Sequence, residues 1–322
     1  MSDDSRPNAV TPPPRPIAGF WRRLAAMLVD GLLLGGVGLV LGAVFSDRFQ
    51  NIGQWGRGLG LVVALLYFAV ANSSLASGQT LGKRWLGVRV VGGDGRPISV
   101  GRSLARAVIL DTPFFLNGML LPAWLDSWPA HLAAALVVFG GGFGIVYFYV
   151  CNRATRQSLH DLLCGTYVVR RDWSGPLPRA RVAPLYYAVF TAGIVGLIAV
   201  LWFGLPRFLG PATVAELSAV QRRLAQDPEA LHVSVLKTWG SGSGRHGLTV
   251  QVWRRGAPGS SDAEADRIAA VVLESYPRIE DVETLTVVIT RGYDIGIASF
   301  NRSVSTPLSP AKWKERVAQR RA

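Results

Sequence analysis

The run Phe20-Trp21-Arg22-Arg23-Leu24-Ala25-Ala26-Met27-Leu28-Val29-Asp30, followed by sixteen residues without charge, constrains this chain more than any other stretch. An arginine opens an apolar segment and an aspartate sits seven residues further in. On an α-helix seven residues make two turns, so Arg23 and Asp30 share one stripe, about 10 Å apart along the axis. Ala26 lies between them as a notch that another group could approach closely. A charge inside a membrane-length segment costs roughly 2.5–3.5 kcal/mol on insertion scales, so it is expected to have a partner and a purpose. The competing reading is that Asp30 makes a buried polar contact that only fixes packing. Gly31, Gly35, Gly38 and Gly42 follow i, i+4, i+7, i+11 on a line about 90° around from the charged stripe. That line suits the close packing of a second helix.

The composition agrees with a membrane setting. Of 322 residues 49% are hydrophobic and 17% charged, against about 25% charged in soluble domains. The net charge of +13 could suggest nucleic acid, but the basic residues flank apolar segments, as membrane loops do. The expected partner is therefore the lipid bilayer and not nucleic acid. Cys151 and Cys164 have no companion ligands, so neither a disulfide framework nor a zinc site is expected. Residues 1–16, rich in proline, read as a disordered tail. No secretory signal fits the first apolar run, which is full length and lacks a cleavage pattern.

Five segments are long enough for a hydrocarbon core of about 20 helical residues. They run from about Leu24 to Phe45, Gly58 to Ala76, Leu104 to Leu121, Pro129 to Val150, and Ala183 to Leu205. The third carries Arg106, Asp111 and Pro113. Lys83, Arg84, Arg89, Arg96 and Arg102 crowd the second connection, and Arg153, Arg156, Arg170, Arg171, Arg179 and Arg181 the fourth. The third connection has no Lys or Arg. The positive-inside rule then makes the N-terminus and both basic loops cytoplasmic, and five crossings send everything after Leu205 to the other side.

The first basic loop reads as a local hairpin, with Gly87 to Val91 and Arg96 to Val100 as strands around Gly92-Gly93-Asp94-Gly95. Gly78-Gln79-Thr80-Leu81-Gly82-Lys83 superficially suggests a phosphate-binding loop. It fails on spacing, lacks Ser/Thr after the lysine, and precedes a strand pattern. In the second basic loop, Leu159, Leu162 and Leu163 have helical spacing, and Gly165 stops the turn before a strand. Asp161 is then carried toward the bundle and is expected to approach Arg23. His160 reads as a surface or capping residue.

Three ordered motifs, Arg23-x-x-Ala26-x-x-x-Asp30, Gly78-Gln79-Thr80-Leu81-Gly82-Lys83 with Gly87-x-Arg89-Val90, and Leu159-His160-Asp161-Leu162-x-x-Gly165-Thr166, resemble the RDD family of bacterial membrane proteins over about Ile17 to Arg170. The family is named for one arginine and two aspartates, and the matching positions are Arg23, Asp30 and Asp161. The resemblance implies a small helical membrane domain of the bacterial inner membrane, of largely unassigned function, for which transport is often suggested. It says nothing of the fifth helix or of the chain beyond it.

From about Gly210 the sequence changes character. Thr213 to Leu224 is amphipathic, His232 to Trp239 and Gly247 to Trp253 alternate as strands around Gly240-Ser241-Gly242-Ser243-Gly244, and Ser261 with Glu264 opens a helix to about Tyr276. Glu283 to Thr290 and Tyr293 to Phe300 read as a hairpin around Arg291-Gly292, and Ser309-Pro310 opens a last basic helix. Helix-strand-strand, twice over, predicts an α+β unit with a four-stranded antiparallel sheet.

The expected architecture is thus a mainly α-helical multi-pass bundle of about five transmembrane helices followed by a small soluble α+β domain. Its parts are a tail (1–16), a membrane domain with four helices (17–172), a fifth helix and linker (173–206), and the α+β domain (207–322). No catalytic set, metal cluster or cofactor site is evident, and an enzyme is not expected. Two functions compete. One is movement of protons, cations or a small solute through Arg23, Asp30, Asp111, Arg106 and Asp161, which with five helices calls for a homo-oligomer. The other is a non-enzymatic scaffold whose C-terminal domain recruits a protein partner.

Overall fold

A computed structural model describes residues 16–119, 127–173, 181–204, 210–239, 246–255 and 261–321, with residues 177 and 207. All but the last residue of the expected disordered tail, and the glycine-serine connection after Trp239, lie outside these. The first helix, α1 (Phe20–Ile52), has 33 residues, about 50 Å of rise. It overruns the expected segment at both ends and leaves helical geometry only at Phe45. Gly53, at φ +61°, ends it. The chain returns through α2 (Gly56–Ala71), a short α3 (Leu81–Trp85) and strand β1 (Val88–Gly92). Helix α4 (Val100–Leu116) starts where the Ser99 hydroxyl accepts the Arg102 amide. Then come α5 (Trp128–Cys151), with a π-helical stretch over Leu136–Gly141, the short α6 (Leu159–Cys164), strand β2 (Thr166–Arg170) and α7 (Pro184–Gly204).

Three helices, α1, α5 and α7, are long and apolar enough to cross a membrane. Five crossings are therefore not established by length and composition. Helix α2 has 16 residues, about 24 Å, short of a hydrocarbon core near 30 Å. Helix α4 has 17, with Arg102, Arg106, Asp111 and an internal Pro113.

The local hairpin expected in the first basic loop does not form. β1 pairs antiparallel with β2, Val88 against Arg170 through Gly92 against Thr166. The Gly92–Gly95 turn is present, with the Gly92 amide on Arg96 O. Pro97 lacks an amide to give to a ladder, and Ser99 is committed to capping α4, so no return strand is left. The two basic loops are thereby joined into one small sheet, and residue 17 bridges to Val169 at its edge.

The C-terminal domain comprises α8 (Pro211–Leu224), β3 (Ala230–Trp239), β4 (His246–Arg254), α9 (Ser261–Ser275), β5 (Val282–Asp294), β6 (Ser299–Leu308) and α10 (Pro310–Arg321). The sheet order is β3-β4-β5-β6. It is mixed, not wholly antiparallel: β4 and β5 run parallel, Leu248 against Leu285 and Val252 against Ile289. The long crossover through α9 makes this pairing available, since parallel neighbours need a connection of a dozen residues or more. Strand β5 runs straight through Arg291-Gly292, so the turn falls at 295–298 instead of the expected position. Alternate residues of β4 (Leu248, Val250, Val252) and β5 (Leu285, Val287, Ile289) meet Val220, Ile268, Ala269, Val272 and Trp313 in one core. The Trp313 indole donates to Leu285 O at 2.9 Å, which removes the cost of burying its N–H.

Candidate functional site

Two arrangements stand out, one near the start of α1 and one along its later half. In the first, Arg23 Nη2 donates to Asp161 Oδ2 at 2.7 Å and Arg106 Nε to Asp161 Oδ1 at 2.9 Å. Thr166 Oγ1 adds a third donor at 2.9 Å. Asp161 has no exposed surface, and Arg106 and Arg23 have little. Helix α6 delivers the carboxylate because Ser158 and Asp161 cap its N-terminus reciprocally. Burial alone would raise the Asp161 pKa, but Arg106 above all, and Arg23, hold it well below the usual carboxylate range. The Arg23 Nη1 also reaches Arg156 O, and its guanidinium lies 4.9 Å from the Tyr149 ring centroid. The sequence expectation placed Arg23 beside Asp161; the structure brings them together and adds Arg106.

Asp30 is used differently. Its Oδ2 accepts Thr80 Oγ1 at 2.6 Å; its Oδ1 accepts the Gly82 amide at 2.9 Å and Tyr67 Oη at 2.8 Å. The segment that superficially suggested a phosphate loop therefore opens a short helix whose N-terminus binds an anion, and the anion is Asp30. Gly82 fits here because a Cβ would fall against Ala26 O: α3 seats in the notch that Ala26 leaves. Asp111 is not in this network. Its Oδ2 is buried with no hydrogen-bond partner, and it shares no bond with Asp30 among the described residues.

His160 is buried, not at the surface. Its Nε2 lies 3.0 Å from Arg106 Nη2. A guanidinium only donates, so Nε2 accepts and the proton is assigned to Nδ1. Burial pushes its pKa down to about 3, against the pull of Asp161, and keeps the ring neutral beside two arginines. The apolar spacing of Leu159, Leu162 and Leu163 did not mark the buried face of α6, since Leu163 is 66% exposed. The inward residues are Asp161 and His160, and His160 carried no signal of its own. Lys83 was not singled out either. Its Nζ bonds Asn72 Oδ1, and lost hydration, then Arg106, hold its pKa down to about 7 despite Asp30 and Asp161.

The second arrangement concerns the glycine line. It does not pack a helix over its length: Gly38 faces Ile297 and Ala298, Gly42 faces Tyr293, Gly35 faces Ile297 O, and Gly31 faces nothing within 4 Å. Gly56 and Gly60 of α2 face Asp294 O and Ile295 O. The β5–β6 turn of the C-terminal domain thus wedges into a groove that six residues without side chains would otherwise leave open, five of them in contact. Three of its four amides are satisfied within the turn. Ile295 N–H donates to Ala298 O at 3.0 Å, Ile297 N–H to Ile295 O at 2.9 Å, and Gly296 N–H to Asp294 Oδ1 at 2.8 Å. Irregular backbone among apolar helices is tolerated when its polar groups are paired in this way. The other Asp294 oxygen accepts Arg57 Nε from α2 at 2.9 Å, and Arg57 also reaches Asn117 O. Among the described residues no His, Cys, Asp or Glu cluster could hold a metal ion.

Residues 17–165 match the model of the RDD family. Two proteins of Bacillus subtilis (strain 168) are similar to part of the chain. The uncharacterized protein YckC is 25% identical over 151 residues, 47% of this chain and 83% of its own length. The uncharacterized protein YxaI is 23% identical over 173 residues, 47% of this chain and 96% of its own length. The family match ends before the C-terminal domain.

Proposed function

Starting from an RDD-family domain over residues 17–165, we propose that this chain is a non-enzymatic, multi-pass membrane anchor that holds its α+β domain against the far ends of α1 and α2. The observation that carries this is the turn at 295–298 seated in the α1–α2 glycine groove and tied by Arg57–Asp294. Contacts to the polar cluster come from the first turns of α1, and contacts to the turn come from Gly35 onward. The cluster therefore sits at one end of the helices and the domain toward the other. With the basic loops cytoplasmic, the domain lies on the extracytoplasmic side, where it can recruit a protein partner.

Hydrogen exchange of the reconstituted chain tests this. The amides of 295–298 are expected to exchange slowly. Gly60→Leu should raise their exchange, because its Cβ would meet the Ile295 carbonyl, while α9 and the core strands stay protected. Exchange in the unaltered protein as fast as in the surface loops would contradict the docked state.

Movement of protons or cations is a second reading. One observation favours it, the Asp111 oxygen buried without a partner. Proton and sodium flux in proteoliposomes, lost in Asp111→Asn, is its test.

A further inference from the structure

Beside the polar cluster a cavity of about 310 Å³ runs between α1, α4 and α5. Its inner end is polar, with Asp30, Lys83, Arg106 and His160, and its walls include Leu24, Met27, Leu110, Ile145, Val146 and Val150. Met27, Val146 and Val150 are 51%, 60% and 53% exposed, whereas Asp30, Arg106 and His160 are 1%, 4% and 5% exposed. The mouth therefore opens sideways between α1 and α5, on the surface that faces lipid once the helices sit in a bilayer, and the charged end is closed except at the part-buried Lys83. It lies near the first turn of α1 and the last turn of α5, the level of lipid head groups.

Three cations and two carboxylates stand at the closed end, with a third carboxylate, Asp111, within electrostatic reach of Arg106 and Lys83. Arg23, Arg106 and Lys83 stand against Asp161 and Asp30. Asp161 is occupied by both arginines, and the Asp30 oxygens by Tyr67, Thr80 and Gly82. Among the described residues no carboxylate forms an ion pair with Lys83. The His160 Nδ1 is a buried donor with no acceptor. A lysine without a carboxylate ion-pair partner and one unused donor sit at the end of an apolar channel open to lipid.

We propose that this cavity binds an anionic lipid from the bilayer, its phosphate on Lys83, Arg106 and His160 and the start of its acyl chain between Met27 and Val146. The volume is at the lower end for ligand sites, so it takes the head and upper chain while the remainder stays in the membrane. The proposal rests on the helices being embedded in a bilayer, but not on the docked turn. The charged groups facing Lys83 are Arg23 and Arg106, which disfavour its proton, and Asp30, Asp161 and, from α4, Asp111, which favour it, with the neutral His160 beside them. Held at about 7 between them, Lys83 gains its proton more fully when a phosphate arrives. Uptake accordingly weakens as pH rises above 7.

The full chain, purified in a neutral detergent, is titrated with phosphatidylglycerol, phosphatidylcholine and inorganic phosphate, and retention is read by native mass spectrometry. Phosphatidylglycerol is expected to bind at least tenfold more tightly than phosphatidylcholine, and inorganic phosphate only weakly. Lys83→Gln should lose that preference. Val146→Trp, an exposed change that narrows the mouth without touching the charges, should lower phosphatidylglycerol retention about tenfold at unchanged melting temperature. Equal retention of the two lipids, or full retention in Val146→Trp, overturns the proposal. Inorganic phosphate binding as tightly as the lipid would overturn it too, by showing a free-anion site. Extraction of the chain from membranes without detergent would instead overturn the membrane reading beneath it.

Discussion

Three donors converge on Asp30, and they favour the packing role over the ion site that the sequence also left open for it. A carboxylate already accepting a tyrosine hydroxyl, a threonine hydroxyl and a backbone amide holds α3 to α1 and has little left for an ion. Asp30→Asn sets an NH₂ donor against one of these donors, so thermal unfolding in detergent should show a loss of about 1–3 kcal/mol. Unchanged stability with altered flux would return Asp30 to an ion site. At Asp161, Arg23→Ala and Asp161→Ala should each cost several kcal/mol by stranding a buried partner. The double change should cost less than their sum, and strict additivity in thermal unfolding would contradict the pairing. His160 adds a pH dependence. Its pKa is about 3 in the folded protein and near 6.5 when unfolded, so the unfolded chain binds the extra proton between these values. Stability should therefore fall as pH drops from about 6.5 to 3. The Asp161 contribution is lost below about 4 as well, because its folded pKa is depressed. Melting temperatures across that window should fall less steeply in His160→Gln; identical slopes would exclude the histidine. Arg23 and Asp30 were legible because charge in an apolar run is rare, and Asp161 through the short amphipathic motif that carries it. Lys83 and His160 were not, since a lysine in a basic loop and a histidine in a short amphipathic helix look like surface residues until the fold closes over them.

Among the elements, local signals and long-range pairings separate cleanly. Helix starts at Ser99 and Ser158, the stop at Gly165 and the last helix after Ser309 follow from capping chemistry within a few residues. The β1 partner lies almost eighty residues away, and nothing in the first loop names it. Pro97 carries the only local hint that the nearby strand pattern would not pair. The glycine line was legible as a surface for close approach, but glycine spacing states only that something comes near. A helix and a turn that satisfies most of its own amides fit the same groove. The Asp294-Ile295-Gly296-Ile297 segment held the complementary signal, an apolar turn with an internal carboxylate to cap it. It was read instead as the beginning of a strand because Arg291-Gly292 resembles a turn.

For the whole molecule, the division into an apolar helical part and an α+β part was plain from composition alone. The helices α1, α5 and α7 and the match of residues 17–165 to the RDD family model point to a membrane protein. The number of crossings is harder to read, because α2 is short and α4 carries charge, and such helices complete a bundle only by packing on longer ones. The proposed arrangement sets the polar cluster and the C-terminal domain on opposite sides of a membrane. Single cysteines at Asp94, in the exposed basic turn, and at Lys312, exposed on α10, in a chain with Cys151 and Cys164 replaced by serine, measure it directly with an impermeant thiol reagent. In intact cells whose outer layers admit the reagent, Lys312→Cys should label at once and Asp94→Cys only after the membrane is opened. Equal labelling at both positions before opening would contradict the account.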